Sequence, residues 1–175
     1  MNTARNIHHE HEIAVGDEQF LTFTLAGEEY GIVALKVQEI KGWEKVTPIP
    51  NSPAYVRGVL NLRGLIVPII DLRLRFNLPE IDYTPVTAIV VVNVGGRLAG
   101  LVVDSVSDVI DVGTKQRCAA PEFEGQTNRQ FIQGLAQVDN KLLILIDIDK
   151  MIGNEFPTAA GGSPGAVDEP VTGGV

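Results

Sequence analysis

The chain holds one cysteine, three histidines and no long apolar run, and each shortage removes a class of function. Cys118 alone cannot close an internal disulfide, so nothing points to an oxidising compartment. No stretch reaches the about 18 consecutive apolar residues of a membrane-crossing helix, and no direct membrane insertion is expected. The opening MNTARNIHHEHEIAVGDE lacks the apolar segment and small-residue cleavage site of a secretory signal. A cytoplasmic location is therefore expected.

His8, His9 and His11 all lie in this polar start, which leaves Cys118 and every later serine without a histidine base. No GxSxG surrounds a serine, so nucleophilic triads are excluded and the chain is expected not to be an enzyme. NVGGRLAG, residues 93–100, is not GxxxxGK[ST] and opens no long helix, which removes a phosphate cradle. Asp104, Asp108 and Asp111 lack the glycine and bidentate glutamate spacing of a calcium loop. The histidine trio has no rigid surroundings, so neither metal nor cofactor is expected. Positive charge is also scarce: 14 Lys and Arg face 22 Asp and Glu, a net charge of −8. With no basic stripe interleaved with aromatics, nucleic acid is not an expected partner.

What is present is β-strand pattern. Gln19–Leu25 alternates Phe20, Thr22 and Thr24 with Leu21, Phe23 and Leu25, and AGEE then supplies a turn. Ala88–Val94 is a β-branched run that ends at Gly95-Gly96, with a return strand from Leu98 to Val103. The middle of the chain thus restarts its beginning. An offset of 69 pairs Gly27 with Gly96, Gly31 with Gly100, Val37 with Val106, Glu39 with Asp108 and Ile40 with Val109. A second offset, 76, sets GVLNLRGLIVPIIDL (58–72) beside GLAQVDNKLLILIDI (134–148) and pairs Gly58 with Gly134 and Asp71 with Asp147.

Each repeat contains a hairpin, a helical turn around Val37 or Val106, a connection, and a second hairpin closed by a short helix. The absence of long helical crossovers predicts a mainly β fold of two small barrels or sandwiches. The domain is predicted over 18–156, with lobes of roughly 18–84 and 85–156 between which strands can exchange. Polar residues 1–17 and Gly/Pro-rich residues 157–175 are expected to be flexible tails. Pro68 removes a ladder donor and predicts that its strand is an edge or bulged strand.

Arg63-Gly64 is the turn of the first long hairpin, and its repeat partner is Asp139-Asn140. Gly64 and Asn140 both tolerate positive φ, but nothing in turn geometry calls for a guanidinium. Arg63 is expected to pair with a carboxylate or backbone carbonyls, to contact a partner, or both. Val37 with Glu39, and Val106 with Asp108, read either as solvated segments or as the rim of an apolar binding surface. Trp43 and Tyr55, flanking a proline-rich connection, are expected to close a barrel end.

EEYGI (28–32), LKVQEI (35–40), GVLNLRGLIVPIIDLR (58–73) and GLVVDSVSDVI (100–110) resemble the CheW family of bacterial chemotaxis coupling proteins. The resemblance covers about residues 18–152. It implies two five-stranded SH3-like barrels packed together and a non-catalytic adaptor without cofactor. The implied partners are the cytoplasmic tip of methyl-accepting chemoreceptors and the regulatory domain of the histidine kinase CheA. The positions matching the family's receptor-contact pattern are Val37, Glu39, Gly58, Arg63, Ala88 and Val109; no kinase-contact residues are assigned. Two other readings stand beside this one: a coupler whose pathway has a non-flagellar output, and a small-molecule-binding β-barrel, which would require a deep polar pocket.

Overall fold

The computed structural model describes residues 16–122 and 129–153. The histidine trio and the segment expected to form the C-terminal tail lie outside the described residues. The strands are β1 (Glu18–Leu25), β2 (Glu28–Val33), β3 (Val37–Gly42), β4 (Val56–Leu62), β5 (Leu65–Asp71), β6 (Ala88–Val94), β7 (Arg97–Val103), β8 (Ser105–Val112), β9 (Arg117–Cys118), β10 (Ile132–Val138) and β11 (Lys141–Ile146). Helix α1 (Leu72–Arg75) follows β5, and α2 (Ile148–Ile152) follows β11. Val37 and Val106, expected in helical turns, lie instead in β3 and β8; a 3-10 turn, Ala34–Lys36, precedes the first.

The strands form two sheets, in the orders β3-β6-β7-β5-β4 and β8-β1-β2-β11-β10-β9. Each sheet curls shut. Beyond β3, Thr47 and Val59 exchange backbone hydrogen bonds at 3.0 and 2.9 Å, which joins the two edges of the first sheet. In the second, β9 follows β8 after a 3-10 turn and pairs with β10 through Cys118 and Leu135. The first, continuous barrel takes its strands from one uninterrupted stretch, 37–103. The split barrel takes β1 and β2 from before that stretch and β8–β11 from after it.

The repeats are thus exchanged reciprocally. Val37 pairs with Val92 while its repeat partner Val106 pairs with Phe23, and parallel Ile69–Gly100 matches parallel Leu145–Gly31. Each barrel is the first hairpin of one repeat completed by the remainder of the other. The sequence halves 18–84 and 85–156 follow the repeat in chain order, whereas the sheets divide the chain at the β2–β3 and β7–β8 crossovers.

This interlacing explains why β6 is apolar on both faces. Ile89 and Val91 point into the continuous barrel, while Ala88, Val90 and Val92 enter the layer between the barrels. There they meet Leu21, Phe23, Leu25 and Ile32 from the split barrel and Met151 and Ile152 from α2. Removing this much apolar surface from water is the main force joining the barrels.

Both helices begin at equivalent aspartates. Asp71 accepts the Leu74 amide at 3.3 Å, and Asp147 accepts the Lys150 amide at 3.1 Å, as N-caps do. Tyr83 also donates to Asp71 at 2.7 Å, and its ring lies 4.1 Å from Trp43 at the continuous barrel's end. Tyr55 packs instead against the layer between the barrels.

β5 is not an edge strand, since it lies between β7 and β4, but its pairing with β4 is irregular, with a register shift between Val56 and Gly58 on the β4 side. Pro68 fits there because Val59, opposite it, spends both backbone groups on Thr47, so the β4 side asks Pro68 for no donor. The β7 ladder starts only at the next residue, Ile69.

Candidate functional site

Four two-residue turns among the described residues have positive φ at both positions: Ala26-Gly27, Arg63-Gly64, Gly95-Gly96 and Asp139-Asn140. This is the hairpin geometry whose twist matches that of the strands. Arg63, at φ 51°, occupies a conformation that costs a non-glycine residue about 1 kcal/mol. The turn is further held by Asn61 Oδ1, which accepts the Gly64 amide at 2.8 Å. Arg63 Nη2 donates to Glu39 Oε2 on β3. Glu39 is the carboxylate that the sequence left unnamed. The pair lies across the closure of the barrel, because β3 and β4 are the two edges of its sheet. The Arg63 side chain remains 76% exposed, so it forms its ion pair while still facing solvent.

The other four positions divide by burial. Gly58 is buried at a register shift in the β4–β5 pairing, with φ 144°, and a Cβ there would come within 2.2 Å of Thr47 O. Gly58 therefore permits the crossing that closes the barrel. Ala88 is 8% exposed and belongs to the layer between barrels, and Val37 packs against the same layer. Val109 is 49% exposed on β8, in the other barrel. The structure thus gathers Val37, Glu39, Gly58, Arg63 and Ala88 in the continuous barrel and leaves Val109 on the split one. Ile40, the repeat partner of Val109, is exposed beside Glu39, and Leu35 is exposed at the β2–β3 crossover. The repeat had signalled Ile40 through its match to Val109.

A CheW-like domain model matches residues 19–156. Chemotaxis protein CheW of Klebsiella aerogenes is 47% identical over 138 residues, covering 79% of this chain and 83% of the relative. The protein of the same description from Bacillus subtilis is 36% identical over 149 residues, covering 85% and 95%. The chain belongs to the CheW family. Among solved structures, scaffolding protein TtCheW from Thermoanaerobacter tengcongensis superposes with a TM-score of 0.69 at 34% identity, covering 74% of this chain and 88% of that one.

As a CheW-family protein it is a chemotaxis adaptor, and its interiors are built accordingly. The continuous barrel is filled by Leu60, Val67, Ile69, Ile89, Val91, Leu98 and Val102, and the split barrel by Phe20, Val112, Ala136, Leu143 and Leu145. Side chains occupy the centres where a small-molecule-binding barrel would hold its ligand. No helix among the described residues is long and apolar enough to cross a membrane.

Proposed function

We propose that the chain is a non-catalytic cytoplasmic coupler, holding the cytoplasmic tip of methyl-accepting chemoreceptors to the regulatory domain of the histidine kinase CheA. The observation that carries this reading is Arg63, kept in a left-handed turn and ion-paired to Glu39 across the barrel closure. The turn does not need the guanidinium, so its place is explained by what it presents. On this reading a receptor helix packs against the apolar surface of Val37, Ile40 and Val109, with the Arg63–Glu39 pair as a charged rim. Gly58 and Ala88, both buried, act by shaping that surface from beneath. Control of the kinase requires that receptor states make different contacts through the coupler, since equal contacts shift no equilibrium.

The test is autophosphorylation of CheA with a receptor-tip fragment from the same organism, with and without this protein. Receptor-dependent stimulation is expected. Its absence, with the protein folded and each partner active alone, would overturn the reading.

A further inference from the structure

The repeat gives the two barrels equivalent mouths, and they are finished differently. At the continuous barrel's mouth Leu98, Val91 and Val67 are buried in the interior cluster, with Leu62 and Leu65 packed against it and Arg63–Glu39 at the rim. By the offsets of 69 and 76, their partners in the split barrel are Glu29, Thr22, Leu143, Val138 and Lys141, with Asp139 in place of Arg63 and Asp108 in place of Glu39. Polar groups replace three apolar plugs, and a carboxylate replaces the one guanidinium.

The result is a cavity of about 200 Å3 lined by all seven of these residues together with Ser107 and Ile110. Its floor is apolar: Ile110, Val138 and Leu143 belong to or pack against the split barrel's interior cluster. The Thr22 hydroxyl is already committed, donating to Asp108 O at 3.2 Å and accepting from Asp108 N at 3.1 Å. The lining carries three carboxylates, Glu29, Asp108 and Asp139, against the single ammonium of Lys141. Asp108 Oδ1 accepts the Val109 amide at 2.7 Å and Glu29 Oε1 the Ser107 hydroxyl at 3.4 Å, which leaves the second oxygen of each open. The cavity therefore has depth for an aliphatic stem and an excess of negative charge at its opening.

We propose that this mouth receives an arginine side chain from a protein partner, its guanidinium between Asp108 and Asp139 and its stem against Ile110, Val138 and Leu143. The partner supplies in trans the cation that Arg63 supplies within the chain at the equivalent mouth. Arginine fits better than lysine because a planar fork of donors can satisfy carboxylates on two sides, while its methylenes cover apolar floor.

The test is a titration of the isotope-labelled full chain, followed by amide NMR spectra, with the capped tripeptide Gly-Arg-Gly. The same peptide carrying citrulline, a neutral isostere, and one carrying lysine are the comparisons. Saturable shifts at Ser107, Asp108, Ile110, Val138 and Asp139 are expected with arginine and not with citrulline. Asp108→Asn with Asp139→Asn should weaken arginine binding at least about tenfold, the loss expected when charged hydrogen bonds are removed. Asparagine suits the Asp139 position, where φ is 50°, and the amide spectrum itself reports the fold. A second variant, Glu29→Leu with Lys141→Leu, copies the plugged mouth and should abolish the shifts. Equal response to citrulline, failure to saturate, or binding unchanged by the paired asparagines would overturn the proposal; lysine binding as tightly would overturn the choice of guanidinium. Neither receptor nor kinase is present, so the outcome is independent of the coupling assay.

Discussion

Arg73 and Asp149 occupy the same place in the two repeats, the second residue of α1 and of α2, and carry opposite charges. Each reaches a crossover between barrels. Arg73 donates to Asp104 from Nε at 2.7 Å and from Nη2 at 2.6 Å, where the chain leaves the continuous barrel. Asp149 accepts from Lys36 at 3.2 Å, where the chain enters it. Asp104 accepts the Ala26 amide as well, at 2.9 Å, so one carboxylate ties together parts of both barrels. The side chains of Arg73 and Asp104 are 13% and 21% exposed, against 35% and 57% for Lys36 and Asp149, which makes the first pair the less screened by water.

Burial works against the charge on Asp104, yet the Arg73 hydrogen bonds, the Ala26 amide and the Arg73 charge together outweigh it and hold the carboxyl below its ordinary value. A depressed folded pKa contributes stability that is present above the unfolded value, about 4, and is lost as pH falls through the folded one. Asp104→Asn should therefore cost about 1–3 kcal/mol at pH 7 and remove part of the acid sensitivity expected below about pH 4. Asp149→Asn should change stability by less than about 1 kcal/mol. Urea unfolding at several pH values measures both, and an Asp104→Asn curve parallel to the parent's at acid pH would contradict the assignment.

Gly58→Ala places a methyl group where Thr47 O already stands, at a positive φ. A loss of about 2–4 kcal/mol is expected, at the upper end for a single backbone-incompatible substitution. Gly42→Ala, with nothing within 4 Å of its added carbon, is the matched control and should stay within about 0.5 kcal/mol. Thermal or urea unfolding of the pair checks this, and a Gly58→Ala loss no larger than that of Gly42→Ala would contradict the close approach to Thr47.

Arg63→Asn keeps a residue that tolerates the left-handed turn and removes the guanidinium. Because the pair with Glu39 is largely exposed on the arginine side, stability should move by no more than about 1 kcal/mol. Receptor-dependent kinase stimulation should fall several-fold, while Lys115→Ala, an exposed change in the 3-10 turn after β8, should leave it intact. Equal stimulation by both variants would remove Arg63 from the docking surface. A charge swap, Arg63→Glu with Glu39→Arg, separates the pair's shaping of the turn from direct contact: recovery points to the former, continued loss to the latter.

The repeat was legible in the sequence down to single residues. Val37 and Val106 were matched by spacing, and their strand pairings, with Val92 and Phe23, are the same pairing seen twice. Spacing could not say which repeat each third strand would join, because β1 and β6 present alike apolar patterns and either satisfies β3. Pro68 suggested an edge or a bulge because a missing donor is visible in sequence, whereas the bond from Val59 to Thr47 that makes the donor unnecessary is not. Arg63 announced itself by being the wrong residue for a turn, but Glu39, 24 positions earlier, had no local pattern to link it. The Arg73–Asp104 pair was equally hidden, as charges 31 residues apart meet only when both crossovers are built.

The split barrel also has a history in time. Synthesis releases β1 and β2 before the other described strands, and an isolated two-stranded hairpin is at best marginally stable in water. All five strands of the continuous barrel then emerge before β8 appears, so the middle of the chain can close while the hairpin still lacks β8 and β11 on its two flanks. β1 and β2 are thus made before the other strands yet are among the last to acquire their full set of partners, and a chain released after Val103 would hold one barrel with all its strands beside an unfinished one.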